Sequence, residues 1–280
     1  MTLEIGRTYT FKVDRKTDIG YMLLKDDQEV FLHVNESLHR TLNPGDLVDA
    51  FLYLDFKGRM AATLKESYIS VERPALLRVK DIHFNLGVFL DMGISKDLLL
   101  SIDDLPFDQA LWPKINDRLY VKLYIKGKMV AKLAKKEEEQ NKNGSFELKQ
   151  KVFAYVQHMG LKGYNLITED EKWIFIHQSL INKTLRLGEQ VQATITYISP
   201  KGVSGSLIEQ KERKLFTDAN LILSELIRHD EIPFDSNSNP EDIKNAFHMS
   251  KKAFKRAIGH LYKERKIKFV DGKTVLVKDE

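Results

Sequence analysis

The amino-acid sequence repeats one pattern three times before a different pattern begins. The repeat is about 70 residues long and runs from Met1 to about Gln210. The matching positions are Gly20, Gly87 and Gly163, then Gly58, Gly127 and Gly202, and also His33, Ser101 and His177. Each repeat contains short β-branched and aromatic runs separated by turns, which excludes a two-helix solenoid unit and allows a small barrel with its own core. The pattern therefore predicts a series of barrel modules, an architecture that commonly binds extended polymers.

The first repeat predicts five strands and one short helical turn. The strands are expected at 9–13, 20–24, 29–34, 47–55 and 60–64, with the helical turn at 35–37. Pro44-Gly45-Asp46 and Lys57-Gly58-Arg59 have the composition of tight turns. A helical element between the third and fourth of five strands is typical of the Greek-key OB barrel.

The second and third repeats predict the same order of elements. Their equivalents of the Pro-Gly-Asp turn are Ile115-Asn116-Asp117 and Leu187-Gly188-Glu189. We therefore expect barrels at 1–66, 71–136 and 147–210. The polar stretch 137–146 contains Asn143-Gly144-Ser145 and is predicted to be a linker, with a charged helical extension as the alternative.

From about Arg213 the apolar residues follow the helical period, so 213–280 is predicted to be a separate domain. Thr217 or Asp218 is expected to cap a first helix, Asn239 a second and Ser250 a third. Asp271-Gly272 favours a type I′ hairpin after the third helix. The predicted fold is mostly β with an α C-terminal domain: three tandem OB-fold barrels followed by a winged helix-turn-helix.

Charge is concentrated in the C-terminal domain. The whole chain carries a net charge of +4, whereas the stretch 248–268 has eight Lys or Arg and one acid, Glu264, a local net charge of +7. The basic residues are Lys251, Lys252, Lys255, Arg256, Lys263, Arg265, Lys266 and Lys268. A helix surface of this kind is suited to phosphate contact, although a solvated helix face is the alternative.

The composition excludes several kinds of site. The chain has no cysteine, so disulfides, thiolate zinc sites and cysteine nucleophiles are excluded. It contains no apolar signal core at the N-terminus and no run of about 18 apolar residues, so we expect a cytoplasmic protein without a membrane partner. No motif indicates an enzyme or a cofactor, and the acidic pair Asp103-Asp104 is more simply explained by a loop or a helix cap.

The three repeats resemble the S1 RNA-binding domain, which is an OB fold. The residues that carry the resemblance are Phe31-Leu32-His33-Val34, Gly45-Asp46, and Asp55 with Gly58-Arg59. In such domains the nucleic-acid face is formed by aromatics on the second and third strands, a His that closes the third strand, and an Asp and Arg before the fifth. The resemblance implies Phe31, His33, Asp55 and Arg59 in the first repeat; Phe84, Phe89 and Lys128 in the second; and Tyr164, Phe175, His177 and Lys201 in the third.

No repeat carries the full set. Ile19 and Met22 stand where aromatics are usual, Ser101 takes the His place, and Asn165 and Val203 depart in the third repeat. Each aromatic could instead fill a barrel core, and each histidine could simply be hydrogen-bonded. Because alternate residues of a strand point to opposite sides, Phe31 and His33 are expected on one face and Leu32 and Val34 on the other.

The stretch 233–267 resembles the C-terminal signature of the conserved virulence factor B family of Gram-positive bacteria. Members of that family have three S1-like domains and a winged helix, in the order predicted here. The resemblance implies a cytoplasmic RNA-binding protein that influences gene expression, including virulence genes in pathogens.

Four functions follow from these patterns. The first is a non-catalytic binder of single-stranded RNA, messenger or ribosomal, that uses the barrels together with Lys251, Lys252, Lys255, Arg256, Lys263 and Arg265. The second is a duplex-DNA-binding transcription regulator, but a mostly lysine third helix contacts phosphates better than base edges. The third is a nuclease. The fourth is a protein-interaction scaffold, for example on the ribosome.

Overall fold

The computed structural model of the chain describes residues 2–135, 146–181, 183–208 and 210–277. They form two compact units, Met1–Leu207 and Ile208–Glu280. Except for Phe146, the predicted linker 137–146 lies outside the described residues. The three predicted barrels are confirmed, and each is a closed sheet of five strands.

Barrel 1 has the strand order β1-β2-β3-β5-β4. Its strands are β1 (Thr8–Thr17), β2 (Gly20–Lys25), β3 (Gln28–His33), β4 (Leu47–Leu54) and β5 (Met60–Thr63). A short 3₁₀ helix, Val34–Glu36, follows the third strand at the place predicted for it. Along each strand, every second side chain points inward; Leu23, Leu32 and Leu52 are examples from three strands, and all three are fully buried.

Barrels 2 and 3 repeat this topology. Barrel 2 consists of β6 (Ala75–His83), β7 (Gly87–Asp91), β8 (Leu98–Ser101), β9 (Arg118–Ile125) and β10 (Met129–Leu133). Barrel 3 consists of β11 (Lys151–Gly160), β12 (Gly163–Thr168), β13 (Trp173–His177), β14 (Gln190–Ser199) and β15 (Gly202–Ser206). In all three barrels the third and fifth strands pair in parallel, which closes the sheet.

The barrels dock through apolar surfaces that lie outside their own cores. Phe51, Tyr53 and Ala61 of barrel 1 belong to the same buried cluster as the core of barrel 2. A second cluster joins Tyr120 of barrel 2 to Trp173 of barrel 3. Because each barrel buries part of its outer surface against the next, the barrels of this unit are packed together rather than flexibly tethered.

The C-terminal unit is a winged helix. It contains α1 (Gln210–His229), β16 (Glu231–Ile232), α2 (Pro240–Phe247), α3 (Lys251–Lys263), β17 (Ile267–Val270) and β18 (Lys273–Leu276), with the sheet order β16-β18-β17. The predicted caps Asn239 and Ser250 are confirmed, since each accepts a hydrogen bond from the first turn of its helix. Asp271 and Gly272 both have positive φ, as the predicted type I′ turn requires.

The predicted start of the first helix is wrong. Helix α1 begins at Gln210, seven residues before Thr217, and the C-terminal unit begins at Ile208 rather than at 213. Residues 210–214 are Gln, Lys, Glu, Arg and Lys, which all favour the helical state, so the helix continues upstream of the first capping residue in the sequence.

Candidate nucleic-acid interface

One line of residues crosses all five strands on the outside of each barrel; we call it the outer row. In barrel 1 the strand register aligns Arg15, Met22, Phe31, Ala61 and Tyr53 side by side. Core residues flank two of them, Tyr21 and Leu23 beside Met22 and Val30 and Leu32 beside Phe31, so the row faces away from the core. The predicted placement of Phe31 outside and Leu32 in the core is confirmed. Val34, predicted on the side of Leu32, instead begins the 3₁₀ helix and is 44% exposed.

The outer rows of the other two barrels follow from the same register. In barrel 2 the row is Asp81, Phe89, Leu99, Val130 and Tyr124. In barrel 3 it is His158, Asn165, Phe175, Ser204 and Tyr197. A tyrosine thus ends every row, a repetition that the sequence analysis missed and that alignment of the fourth strands would have revealed.

The phenylalanines of barrels 1 and 3 lie over a glycine of the neighbouring strand. A Cβ on Gly20 would come within 3.0 Å of Phe31 Cζ, and one on Gly163 within 2.9 Å of Phe175 Cζ. The same Cβ on Gly163 would lie 2.1 Å from the carbonyl oxygen of Ile176. The repeated glycine is therefore needed for close strand approach, and it holds the phenylalanine ring half-buried rather than inside the core.

The histidines that fall in register have a structural role. His33 Nδ1 accepts a hydrogen bond from the backbone N–H of Asn35 at 3.1 Å, and His177 Nδ1 accepts one from Ser179 at 3.2 Å. Each ring caps the 3₁₀ helix that follows its strand, and the hydroxyl of Ser101 does the same in barrel 2. Because Nδ1 accepts, the proton of the neutral ring resides on Nε2, which is a hydrogen-bond donor.

The predicted Asp55–Arg59 pair organises the turn between β4 and β5. Asp55 accepts hydrogen bonds from the backbone N–H groups of Lys57 and Arg59, and its carboxylate pairs with the Arg59 guanidinium at 2.7 Å. The backbone and side-chain hydrogen bonds from Arg59 lower the pKa of Asp55. Lys96 of barrel 2 donates to the carbonyl oxygens of Leu54 and Asp55 at 2.6 and 3.0 Å, so this turn is also part of the contact between barrels.

In barrel 1, the residues at both ends of the outer row already contact other parts of the chain. Tyr53 is only 8% exposed beneath barrel 2, and burial raises its pKa to about 12. At the other end Arg15 forms ion pairs with Glu29 and Asp14, both at 2.5 Å. In contrast, Tyr124 and Tyr197 are 55% and 61% exposed. Barrels 2 and 3 therefore keep the aromatic end of the row accessible.

The remaining residues predicted from the S1 resemblance lie in three kinds of place. Phe84 is exposed in the loop before β7 and stacks on Trp112, while Lys128 and Lys201 are exposed in the hairpins that follow the fourth strands. Tyr164 does not share the outer row: it pairs with the core residue Ile176 and packs against the core of barrel 3. Strand parity thus removes Tyr164 from the surface that holds Phe175 and His177.

Apart from Lys128 in its turn, the lysine-rich β9–β10 hairpin of barrel 2 was not predicted as part of the site. Lys122 and Tyr124 are two residues apart on β9, so they point to the same outer side, and Lys132 lies directly opposite Lys122 on β10. Lys126 follows directly after the strand and is exposed. The alternation of lysine with apolar residues in Lys122-Leu-Tyr124-Ile-Lys126 is the sequence signal that would have identified this surface.

The C-terminal unit presents the predicted basic face. Lys252, Lys255, Arg256, Lys263 and Arg265 are exposed, whereas the opposite side of α3 is buried. The sixth predicted residue is Lys251, which is half-buried and donates to the carbonyl oxygen of Asn237 at 3.1 Å. Lysine and arginine side chains arranged in this way can neutralise phosphates.

Two exposed aromatic rings extend the basic face. Tyr262 of α3 and Phe269 of β17 stack with centroids 5.4 Å apart, and both are exposed. Gly259 lies between these rings and the lysines on the same helix, and a Cβ there would meet no atom within 4 Å. Internal packing therefore does not require a glycine at this position.

Among the residues that the structure describes, no three His, Asp or Glu side chains form a group that could hold a metal ion. In the same residues, no helix is both long enough and apolar enough to cross a membrane.

Three family models match the chain. They are an S1 domain at 5–65, a first S1-like domain of CvfB at 75–132, and a CvfB-like winged helix domain at 220–276. No catalytic domain is among these matches. They fall on barrel 1, barrel 2 and the C-terminal unit, in the order in which the structure arranges them.

Relatives cover nearly the whole chain. An uncharacterised protein of Bacillus subtilis, YitL, is 35% identical over 94% of this chain and 90% of its own length. Conserved virulence factor B of Staphylococcus aureus is 34% identical over 85% of this chain and 81% of its own length. A crystal structure from Streptococcus pneumoniae, described as a multidomain protein with nucleic acid binding domains, covers 98% of both chains with 28% identity and a TM-score of 0.58.

Proposed function

Because the chain belongs to the conserved virulence factor B family, we propose that it is a non-catalytic protein that binds single-stranded RNA. The binding surfaces in this proposal are the outer rows of the barrels and the basic face of α3. Its biological role is post-transcriptional regulation of gene expression, in the cytoplasm, including virulence genes where the host bacterium is a pathogen.

The observation that carries the proposal is the surroundings of Phe175. Its ring is half-buried over Gly163, with Asn165 directly opposite and exposed His177 two residues further on the same face. An aromatic ring can stack on an unpaired base, while an amide and an imidazole N–H can bond to a base edge. Phe31 and His33 repeat the arrangement in barrel 1, with ring centroids 6.2 Å apart.

Single-stranded nucleic acid fits this surface better than a duplex because stacking requires an unpaired base. The nucleic-acid-binding domains described for the Streptococcus pneumoniae protein support a nucleic-acid ligand. The S1 domain match supports RNA in particular.

The test is replacement of Phe175 by leucine. Leucine occupies the equivalent position in barrel 2, where Leu99 is part of a closed barrel, so Phe175→Leu should fold. Loss of one stacked base costs about 1–3 kcal/mol, so we expect binding of a labelled single-stranded RNA to weaken about 5- to 150-fold. Unchanged affinity in a folded variant would remove this ring from the binding surface.

A second candidate function is duplex-DNA binding through the winged helix, favoured by the exposed basic residues on α3. The side chains on that face are mostly lysines, which contact phosphates and carry little sequence information. In this alternative, a matched duplex DNA would bind more tightly than single-stranded RNA.

A further inference from the structure

Barrels 2 and 3 enclose a cleft of about 870 Å³. Barrel 2 contributes Lys122, Tyr124 and Lys132 to its lining, and barrel 3 contributes His158, Asn165 and Trp173. Tyr124 ends the outer row of barrel 2, whereas His158 and Asn165 begin that of barrel 3. The cleft therefore lies where the two outer rows meet.

The walls of the cleft are held in place by directional contacts. The side-chain amide of Gln157 bonds to both backbone groups of Tyr120, at 2.6 and 3.0 Å. The rings of Tyr120 and Trp173 meet edge to face with centroids 6.1 Å apart. Around them Arg118 pairs with Glu169, and Arg186 pairs with Asp117 at 2.5 Å. A ligand would thus meet a preformed site rather than two independent barrels.

The barrel 2 wall combines positive charge with an accessible ring. Lys122 and Lys132 are cross-strand partners, and Tyr124 lies two residues along the same strand on the same side. Lys132 also pairs with Asp104 at 2.7 Å, and Asp104 lines the cleft too, so a phosphate here competes with that carboxylate for Lys132. With Tyr124 55% exposed between lysines, this wall can stack one base and neutralise the adjoining phosphates.

The barrel 3 wall supplies polar groups next to the surface of Phe175. Asn165 lies between His158 and Phe175 in the strand register, so the cleft continues directly onto that surface. Trp173, 5% exposed, lines the cleft, and its indole N–H is a buried donor with no acceptor among the described residues.

We propose that a single strand of RNA crosses from barrel 3 to barrel 2 through this cleft. One base stacks on Tyr124, neighbouring phosphates bind Lys122 and Lys132, and Asn165 contacts a base edge on the way to Phe175. The inference rests on the proposed function and adds to it a composite site that neither barrel forms alone.

The test compares two exposed tyrosines. Tyr124 and Tyr68 are 55% and 57% exposed, but only Tyr124 lines the cleft, and Tyr68 belongs to none of the outer rows. We expect Tyr124→Ala in the full chain to weaken binding of a labelled single-stranded RNA about 5- to 150-fold, the effect of losing one stacked base. We expect Tyr68→Ala to change it less than about twofold. Equal effects of the two variants would overturn the proposal.

A second measurement locates the RNA directly. The chain has no cysteine, so Tyr124→Cys and Tyr68→Cys each create a unique thiol that can carry a photo-activated crosslinker. Crosslinks to RNA at residue 124 and few at residue 68 support the cleft; the opposite pattern contradicts it. If the unmodified chain binds no RNA, the proposed function fails together with the cleft. If it binds RNA while Tyr124→Ala binds equally well, only the cleft fails.

Discussion

Gln157 of barrel 3 pairs with the backbone of Tyr120 in barrel 2 as a neighbouring strand would. Its Nε2 donates to the Tyr120 carbonyl oxygen at 2.6 Å, and its Oε1 accepts from the Tyr120 N–H at 3.0 Å. Gln157 is 1% exposed, so both bonds are shielded from water. This side chain therefore adds two buried hydrogen bonds to the contact between barrels 2 and 3.

Replacement of Gln157 by alanine should destabilise the barrel unit by about 2 kcal/mol, because the N–H of Tyr120 loses this buried acceptor. The carbonyl oxygen of Tyr120 keeps a bond from the N–H of Ala134, which limits the loss. Urea denaturation measures the change, and Gln192→Ala serves as the control because Gln192 is exposed in the same barrel. Equal stabilities of the two variants would show that the paired amide contributes little.

Replacement of Gly163 by alanine should destabilise barrel 3 by about 3 kcal/mol. The residue has a φ of +148°, and the new Cβ would lie 2.1 Å from the backbone oxygen of Ile176, which cannot easily move. Gly127→Ala is the matched control: its φ is also positive, at +66°, but a Cβ there meets no atom within 4 Å. We expect thermal unfolding to separate the two variants clearly. A similar loss in both would mean that backbone strain, and not close strand approach, requires the repeated glycine.

Stability should depend on Tyr53 at alkaline pH. Its pKa rises from 10.0 to about 12 in the folded chain because of burial, so the folded state holds the phenol proton more tightly than the unfolded state. The stabilisation is complete below pH 10 and is lost as the pH rises towards 12. We expect Tyr53→Phe to reduce the slope of unfolding free energy against pH in that window. An unchanged slope in Tyr53→Phe would argue against burial of the Tyr53 hydroxyl.

Removal of charge from α3 should weaken RNA binding and reduce its dependence on salt. Lys255→Ala with Arg256→Ala removes two exposed cations, and each lost phosphate contact lowers the slope of log affinity against log salt by roughly 0.7 for a single strand. The control, Lys214→Ala with Lys244→Ala, removes the same charge from α1 and α2. Equal slopes for the two double variants would mean that α3 contributes only general electrostatic attraction.

Much of the fold follows from local chemistry that the sequence displays. The Asn239 and Ser250 caps and the Asp271-Gly272 turn were predicted because turn and cap residues act on their own neighbours. The succession of five strands with a helical turn after the third was predicted from alternating runs and turn residues along the chain. The start of α1 was missed because charged helix formers upstream of Thr217 extend the helix without a clear capping signal.

The docking of the barrels was harder to predict because it depends on which outer surfaces meet. Tyr53 and Tyr124 hold the same place in their barrels, yet one is buried and the other exposed. The difference is visible in the neighbouring residues: Ala50 to Leu54 is continuously apolar, as expected of a strand covered on both sides, while lysines alternate around Tyr124. The three barrels thus have outer rows at equivalent positions, but they differ in how far the tyrosine at the end of the row is exposed.

Single-stranded RNA binding is tested most directly by a fluorescence-anisotropy titration of the full chain with labelled single-stranded RNA and with matched duplex DNA, each at two salt concentrations. We expect the RNA to bind more tightly than the duplex and its affinity to fall as salt rises. Preference for the duplex would move the function to the winged helix, and binding to neither would contradict the nucleic-acid interface altogether.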